Sequence, residues 1–303
     1  MGINNIPPKV CTYSCIYCQA GRTTAMRLER RAFFAPEEVF EAVKAKVEAA
    51  RRQGETVDYL TFVPDGEPTL DVNLAREIEL LRALGVKVAV ITNSSLLWRD
   101  DVRADLARAD WVSVKVDAAD EEAWRRVNRP HGGLRLAAVL DGVSAFAETF
   151  DATLVTETML VRGVNDGVGQ LKKVAAFLAG LNPSAAYLSI PTRPPAEEGV
   201  EAPDEEVVNA AFQIFAEAVP RVECLIGYEG DAFAFTGNVE DDILSITAVH
   251  PMREEAVAAL LARAGASRAV VEKLVAGGML AEVEFDGKKF YVRKFARGSR
   301  RRD

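Results

Sequence analysis

The chain has 303 residues, 49% hydrophobic and 27% charged, with a formal net charge of −8. This is the balance of an ordinary soluble globular protein, long enough for one large domain and a small appendage. No run approaches 18 apolar residues, the start MGINNIPPKV lacks a secretory pattern, and four cysteines make no disulfide framework. A membrane span and a secreted scaffold are thereby excluded, and a reduced, cytoplasmic protein is expected.

The first feature along the chain is chemical. Cys11, Cys15 and Cys18 stand as C-x3-C-x2-C, so three of the four cysteines fall within eight residues. Thiolates are preferred ligands of iron–sulfur clusters and of zinc. On a four-iron cluster, three thiolates leave one iron open to a substrate or cofactor. Zinc would need a fourth ligand, and the chain has only His131 and His250 to offer as imidazoles. Inert core thiols are the third reading. Cys224 is expected to be a core thiol in any case.

Ala35-Pro36-Glu37-Glu38 opens an amphipathic helix running toward Arg52. Strands are predicted at Val57–Val63, Lys87–Thr92, Trp111–Val116, Thr153–Leu160 and Tyr187–Ile190, with a helix over Asn73–Leu84 and further helices between. Short apolar strands alternating with helices imply a parallel sheet. The fold class is therefore α/β, a partial (β/α)6 TIM-like barrel, with a doubly wound sheet as the alternative. In such barrels the working residues stand at the C-terminal ends of strands. Those ends carry Asp65-Gly66-Glu67-Pro68, Thr92-Asn93-Ser94, Lys115-Val116-Asp117, Glu157-Thr158-Met159 and Pro191-Thr192-Arg193.

After about residue 240 the rhythm changes. Helices are predicted over Asp241–Met252, Arg253–Ala264 and Arg268–Ala276. Strands Ala281–Phe285 and Lys289–Lys294 flank Asp286-Gly287, a two-residue hairpin turn. Three helices and a hairpin form a winged-helix-like pattern whose third helix could enter a nucleic-acid groove or serve only for packing. Residues 288–303 carry eight basic side chains against Asp303 alone, a local +7, which leaves −15 on the rest. Such a tail is either a contact for a polyanion or a solvated terminus. The expected domains are 1–238 for the partial barrel, 239–296 for the winged-helix-like domain and 297–303 for the basic tail.

The cysteine spacing, with the aromatic Tyr17 before the last thiol, resembles the cluster motif of the radical SAM superfamily. Asp65-Gly66-Glu67-Pro68 resembles that family's Gly-Glu-Pro segment, with Asp65 where a first glycine often stands. The likeness extends over roughly residues 1–230. It implies a 4Fe-4S cluster on Cys11, Cys15 and Cys18, and S-adenosyl-L-methionine (SAM) on the open iron. It further implies SAM cleavage to methionine and a 5′-deoxyadenosyl radical that takes hydrogen from a substrate. By the same resemblance, backbone groups of Gly66 and Glu67 receive the SAM amino group and Pro68 shapes their loop. Tyr17 lies near the adenine. Ser113, Lys115 and Asp117, with Asn93 behind them, are the candidates for the ribose and carboxylate.

The run Gly2–Cys11, followed by Tyr17-Cys18-Gln19-Ala20-Gly21-Arg22-Thr23, is similar to the branch containing the tRNA wybutosine enzyme 4-demethylwyosine synthase. That branch has a further N-terminal segment and upstream cysteines for a second cluster. Neither is present, so a truncated or misassigned start with an incomplete first strand is expected. The resemblance implies a reductant such as flavodoxin or ferredoxin. It makes a tRNA base the first substrate to consider, with Arg22, Arg27, Arg30 and Arg31 as RNA contacts, ahead of a peptide or small molecule. The competing class is a non-catalytic iron–sulfur redox sensor that binds nucleic acid through its winged helix. No catalytic acid or base stands out among Glu157, Arg129, His131, Arg193 and Tyr228.

Overall fold

A computed structural model describes residues 1–227 and 233–294. Tyr228 and the basic tail 297–303 therefore lie outside the described residues. Two compact units divide the chain, Met1–Val47 with Val57–Tyr228 and Glu48–Thr56 with Glu229–Asp303.

The first unit opens with three two-residue strands, β1 (Gly2–Ile3), β2 (Val10–Cys11) and β3 (Ala25–Met26). Helix α1 (Pro36–Arg52) has Glu37 and Glu38 in its first turn and Arg51 and Arg52 in its last, a charge order that suits the helix dipole. Then follow β4 (Tyr59–Phe62), α2 (Leu74–Arg82), β5 (Lys87–Thr92), α3 (Asp100–Leu106), β6 (Trp111–Lys115), α4 (Glu121–Asn128) and α5 (Leu136–Thr149). The series closes with β7 (Thr153–Met159), α6 (Val168–Leu181), β8 (Ala185–Ser189), α7 (Glu205–Ala218) and β9 (Val222–Leu225).

Among the described residues these strands form a seven-stranded sheet in the order β1-β4-β5-β6-β7-β8-β9, with every pair parallel. The order never reverses, whereas a doubly wound sheet has a switch point. Uniform right-handed crossovers curl such a sheet into an open barrel. The strands are apolar on both faces because helices cover one and the barrel interior the other. Leu60, Phe62, Val88, Val90, Val112 and Val114 pack with Leu74, Ile78, Leu81, Leu106, Val143 and Phe146 in one core. Cys224 joins its edge on β9, half-buried, and burial pushes its thiol pKa up.

The second unit holds α8 (Val239–Val249), β10 (Met252–Arg253), α9 (Glu254–Arg263), α10 (Ala269–Ala276), β11 (Leu280–Phe285) and β12 (Lys288–Arg293). Asn238 caps α8 by accepting from the Glu240 and Asp241 N–H groups. The three strands pair antiparallel in the order β10-β12-β11. Asp286 and Gly287 both take positive φ, 50° and 65°, as a two-residue turn between right-twisted strands requires. Ile243, Met252, Leu260, Leu274, Leu280 and Tyr291 form this unit's own core.

Candidate cluster and cofactor site

Cys11 ends β2, and Cys15 and Cys18 stand on the loop from β2 to β3; all three thiols are free and half-buried. Parallel pairing of Val10 with Ala25 and Cys11 with Met26 closes the loop at its base. Bonds from Cys18 N to Cys15 O (3.2 Å) and from Gly21 N to Cys18 O (2.9 Å) form its far turn. A strap after α4 holds its outer edge. Ser14 N donates to Asn128 O at 3.1 Å, Ile16 N to Val127 O at 3.0 Å, and His131 N to Thr12 O at 2.9 Å. Arg129, with φ 45° and ψ 63°, ends α4 and turns the chain back along the loop. Beneath, the Trp124 indole donates to the Tyr13 hydroxyl at 3.1 Å, and the two rings meet edge to face.

Two of the thiols face side-chain amides. Asn93 Nδ2, at the end of β5, lies 3.4 Å from Cys11 Sγ, and Asn128 Nδ2 lies 3.4 Å from Cys15 Sγ. Such N–H groups orient thiolates and stabilise their charge. Burial first, then the Glu67 carboxylate, pushes Cys11 up to about 12. Burial and Asp117 push Cys15 up as well. Cys11 and Cys15 therefore hold their protons more tightly than free thiols, and an iron centre must displace them on binding. Among the described residues no three His, Cys, Asp or Glu side chains converge on a single-ion site. Three thiolates suffice for a four-iron cluster, whereas one zinc would need a fourth ligand. The Lys9 ammonium beside Cys18 and Cys11 is buried without a hydrogen-bond partner among the described residues. A buried ammonium at the base of this loop suits an anionic iron–sulfur group.

The Gly66 backbone is pressed against the strand that leads into Cys11. A Cβ there would lie 1.9 Å from Val10 O, so no side chain fits. Glu67 N donates to the same carbonyl at 3.2 Å. The Glu67 side chain is fully buried and locks two strand ends together. It accepts from Thr69 N (3.1 Å), Thr69 Oγ1 (2.6 Å), Thr92 Oγ1 (2.7 Å) and Asn93 N (2.8 Å). Burial pushes its pKa up, against these four bonds. Pro68 opens a short 3-10 turn, Pro68–Leu70. Glu67 thus spends its carboxylate and its N–H inside the framework.

Four of the predicted residues, Tyr17, Asn93, Lys115 and Asp117, line one cleft, floored by Trp124, Val139 and Leu140. Gly66, Glu67, Pro68 and Ser113 do not line it; Ser113 is buried two residues earlier on β6. Lys115 Nζ pairs with Glu157 Oε1 at 2.8 Å and lies 5.3 Å from the centre of the Tyr17 ring. Burial works against the Lys115 charge, but Glu157 and Asp117 outweigh it and push its pKa up. Ser189 Oγ also donates to Glu157, at 3.0 Å. Asp117 accepts from the Tyr17 hydroxyl (2.5 Å), Asn128 Nδ2 (2.7 Å) and Met159 N (2.8 Å). Its carboxylate ties the cysteine loop to β7.

Several contributors were not singled out in the sequence. Asn128 touches both Cys15 and Asp117. Asn165 accepts from Val161 N at 2.8 Å and donates to the Asp117 and Met159 carbonyls, holding the loop after β7. The signals were a polar residue before Arg129-Pro130 and another just past a buried strand. Of the mouth residues, Arg129 and Arg22 both pair with Glu197, at 2.6 and 2.7 Å. Arg193 is buried and donates to Gln19 Oε1 at 3.3 Å, and His131 Nδ1 accepts from Gly133 N. Arg30 is a correction to the expected RNA contacts. Its side chain is buried, pairs with Asp101 and Asp105, and donates to the Thr69 and Asp71 carbonyls. Arg31 lies over the Phe33 ring.

The model for the radical SAM superfamily matches residues 5–175. The UPF0026 protein MJ1312 of Methanocaldococcus jannaschii is 45% identical over 295 residues, 97% of this chain and 91% of that protein. A UPF0026 protein of Helicobacter pylori is 31% identical over 229 residues, 73% of this chain and 72% of that protein. Among solved structures, a radical SAM methyltransferase from Sphaerobacter thermophilus superposes with a TM-score of 0.58. It covers 76% of this chain and 67% of its own at 17% identity, a likeness of fold alone.

Proposed function

This chain belongs to the radical SAM superfamily, and on that premise we propose that Cys11, Cys15 and Cys18 hold a 4Fe-4S cluster whose open iron takes S-adenosyl-L-methionine. When bound, that pair supplies a 5′-deoxyadenosyl radical, with methionine released, and the radical takes hydrogen from a substrate. The observation that carries the reading is the loop itself: three free thiols, two of them met by asparagine amides, beside a cleft lined by Tyr17, Asn93, Lys115 and Asp117.

Each residue has a task the geometry supports. Asn93 and Asn128 orient Cys11 and Cys15 and favour their thiolates. Gly66 brings its backbone close to the cysteine strand, and the family resemblance would give it and Glu67 the SAM amino group. Glu67 keeps that segment rigid, and Pro68 starts the turn beyond it. Lys115 stays cationic beside Glu157 and suits a carboxylate. Tyr17 offers a ring face to a base, fixed by its hydroxyl on Asp117. Asp117 serves as a brace and Ser113 is buried outside the cleft, which leaves Lys115 as the β6 side chain open to the cofactor. An external reductant such as flavodoxin or ferredoxin would deliver the electron, in a cytoplasmic setting.

We read 1–238 as the catalytic domain and 239–296 as a winged-helix-like domain. The order helix, strand, two helices and hairpin supports that reading. A tRNA base is the first substrate to test because of the branch resemblance. Against extensive nucleic-acid contact, Arg268 pairs with Glu254 and Glu272, and Lys273 with Glu240.

The test is anaerobic. Reconstituted protein with dithionite and SAM is expected to release 5′-deoxyadenosine, and Cys15→Ala to release none. An intact four-iron spectrum without 5′-deoxyadenosine would replace this reading with the redox sensor.

A further inference from the structure

Lys9 stands two residues before Cys11 with a φ of 64°, a left-handed conformation that a lysine adopts only under constraint. Both sides of its backbone supply the constraint. Its N–H donates to Asp65 O at 2.7 Å, and its carbonyl accepts from Thr24 N at 3.2 Å and Ala25 N at 3.1 Å. The side chain runs under the turn that Gly21 N and Cys18 O close; a Cβ on Gly21 would lie 3.7 Å from Lys9 Nζ. There the ammonium is buried, and no hydrogen-bond acceptor reaches it among the described residues. Burial pushes its pKa down, against the through-space pull of nearby anionic groups, Asp65 among them. A buried ammonium with no acceptor is costly unless an anion comes to it. Asp65 acts on it only through space. The anion that the three thiols would bring is the iron–sulfur core.

We propose that Lys9 is the charge-compensating cation of the cluster, set beside Cys18 so that its ammonium raises the cluster's reduction potential. This inference rests on the cluster reading above and deepens it. Reduction adds an electron, taken from the external donor, to a centre that is already anionic. A fixed cation in a low-dielectric site favours the reduced form more than the oxidised one.

The experiment uses full-length wild type, Lys9→Met and Lys9→Arg, each reconstituted anaerobically and titrated by potentiometry with EPR detection. At the wild-type midpoint the Met variant is expected to lose at least about threefold in its reduced-to-oxidised ratio, tenfold being 59 mV for one electron. The Arg variant is expected to remain close to wild type. A Met variant with the wild-type midpoint overturns the proposal and leaves the cluster assignment standing. A wild type that takes up no four-iron cluster overturns both. Should the Met variant take up no iron, uptake by the Arg variant supports the charge argument, and failure of both assigns Lys9 to packing and overturns it.

Discussion

The two units of this chain handle charge in opposite ways. In the first, ionisable groups are carried inside. Asp65, Glu67, Asp71, Glu77, Asp117 and Arg193 are all buried, and the Lys115–Glu157 pair is largely so. In the second, the buried polar side chains among the described residues are Asp242 and Thr247. Asp242 is spent on the Thr236 N–H and hydroxyl, at 2.8 and 2.6 Å. It pairs charges on the surface, as in Lys289 with Glu282 and Arg268 with Glu254. Exposed pairs contribute little. Buried charges are costly and persist where a fold uses them, as strand-end braces or as functional groups. The difference singles out the first unit as the seat of chemistry without reference to any relative.

The strongest way to break this contrast is at Gly66. Gly66→Ala would drive a methyl group into the Val10 carbonyl. The expected result is a loss of about 3 kcal/mol in denaturant unfolding, with little iron retained on reconstitution. Normal iron content would mean that the segment does not brace the cysteine strand.

Glu77 sharpens the contrast through pH. It is buried on α2, accepts from Asn5 Nδ2 at 3.1 Å, and burial, then Asp71, pushes its carboxyl up to about 8. As pH rises above the ordinary carboxylate range, the unfolded chain loses this proton while the folded chain keeps it. Stability from this group is therefore greatest at low pH and falls as pH approaches 8. Glu77→Gln keeps an acceptor for Asn5 and removes the titration. Its advantage over wild type should grow between pH 5 and pH 8 by roughly 2 to 4 kcal/mol, read from urea midpoints. A constant difference across that range would show that the carboxyl is not held protonated.

The smallest effect belongs to the second unit. Arg268→Ala removes a surface pair with Glu254, and its unfolding midpoint should match wild type. Its affinity for tRNA should also be unchanged, because that cation is already committed. A clear loss of tRNA binding, steepest at low salt, would return α10 to the role of a recognition helix.

Much of this could be read along the chain because it is local. Lys87–Thr92 is a strand at both levels, since a run of apolar residues between turn signals needs no partner to be recognised. Asp286-Gly287 is the hairpin turn because only residues tolerant of positive φ serve there. The three thiols are visible because eight residues hold them all. What surrounds those thiols is not local. Asn93 is 82 residues from Cys11, and Asn128 is 113 from Cys15. The strand end alone makes Asp117 a ribose candidate; the fold sets Tyr17, Asn128 and Met159 against its carboxylate. Arg30, read as an RNA contact, turned inward to two aspartates. The sequence by itself determined the main helices and strands, the parallel sheet and the clustering of three cysteines, because periodicity and spacing act over a few residues. Tertiary structure alone decided which polar groups are free to act, because a hydrogen-bond partner depends on how separate crossovers bring strand ends together.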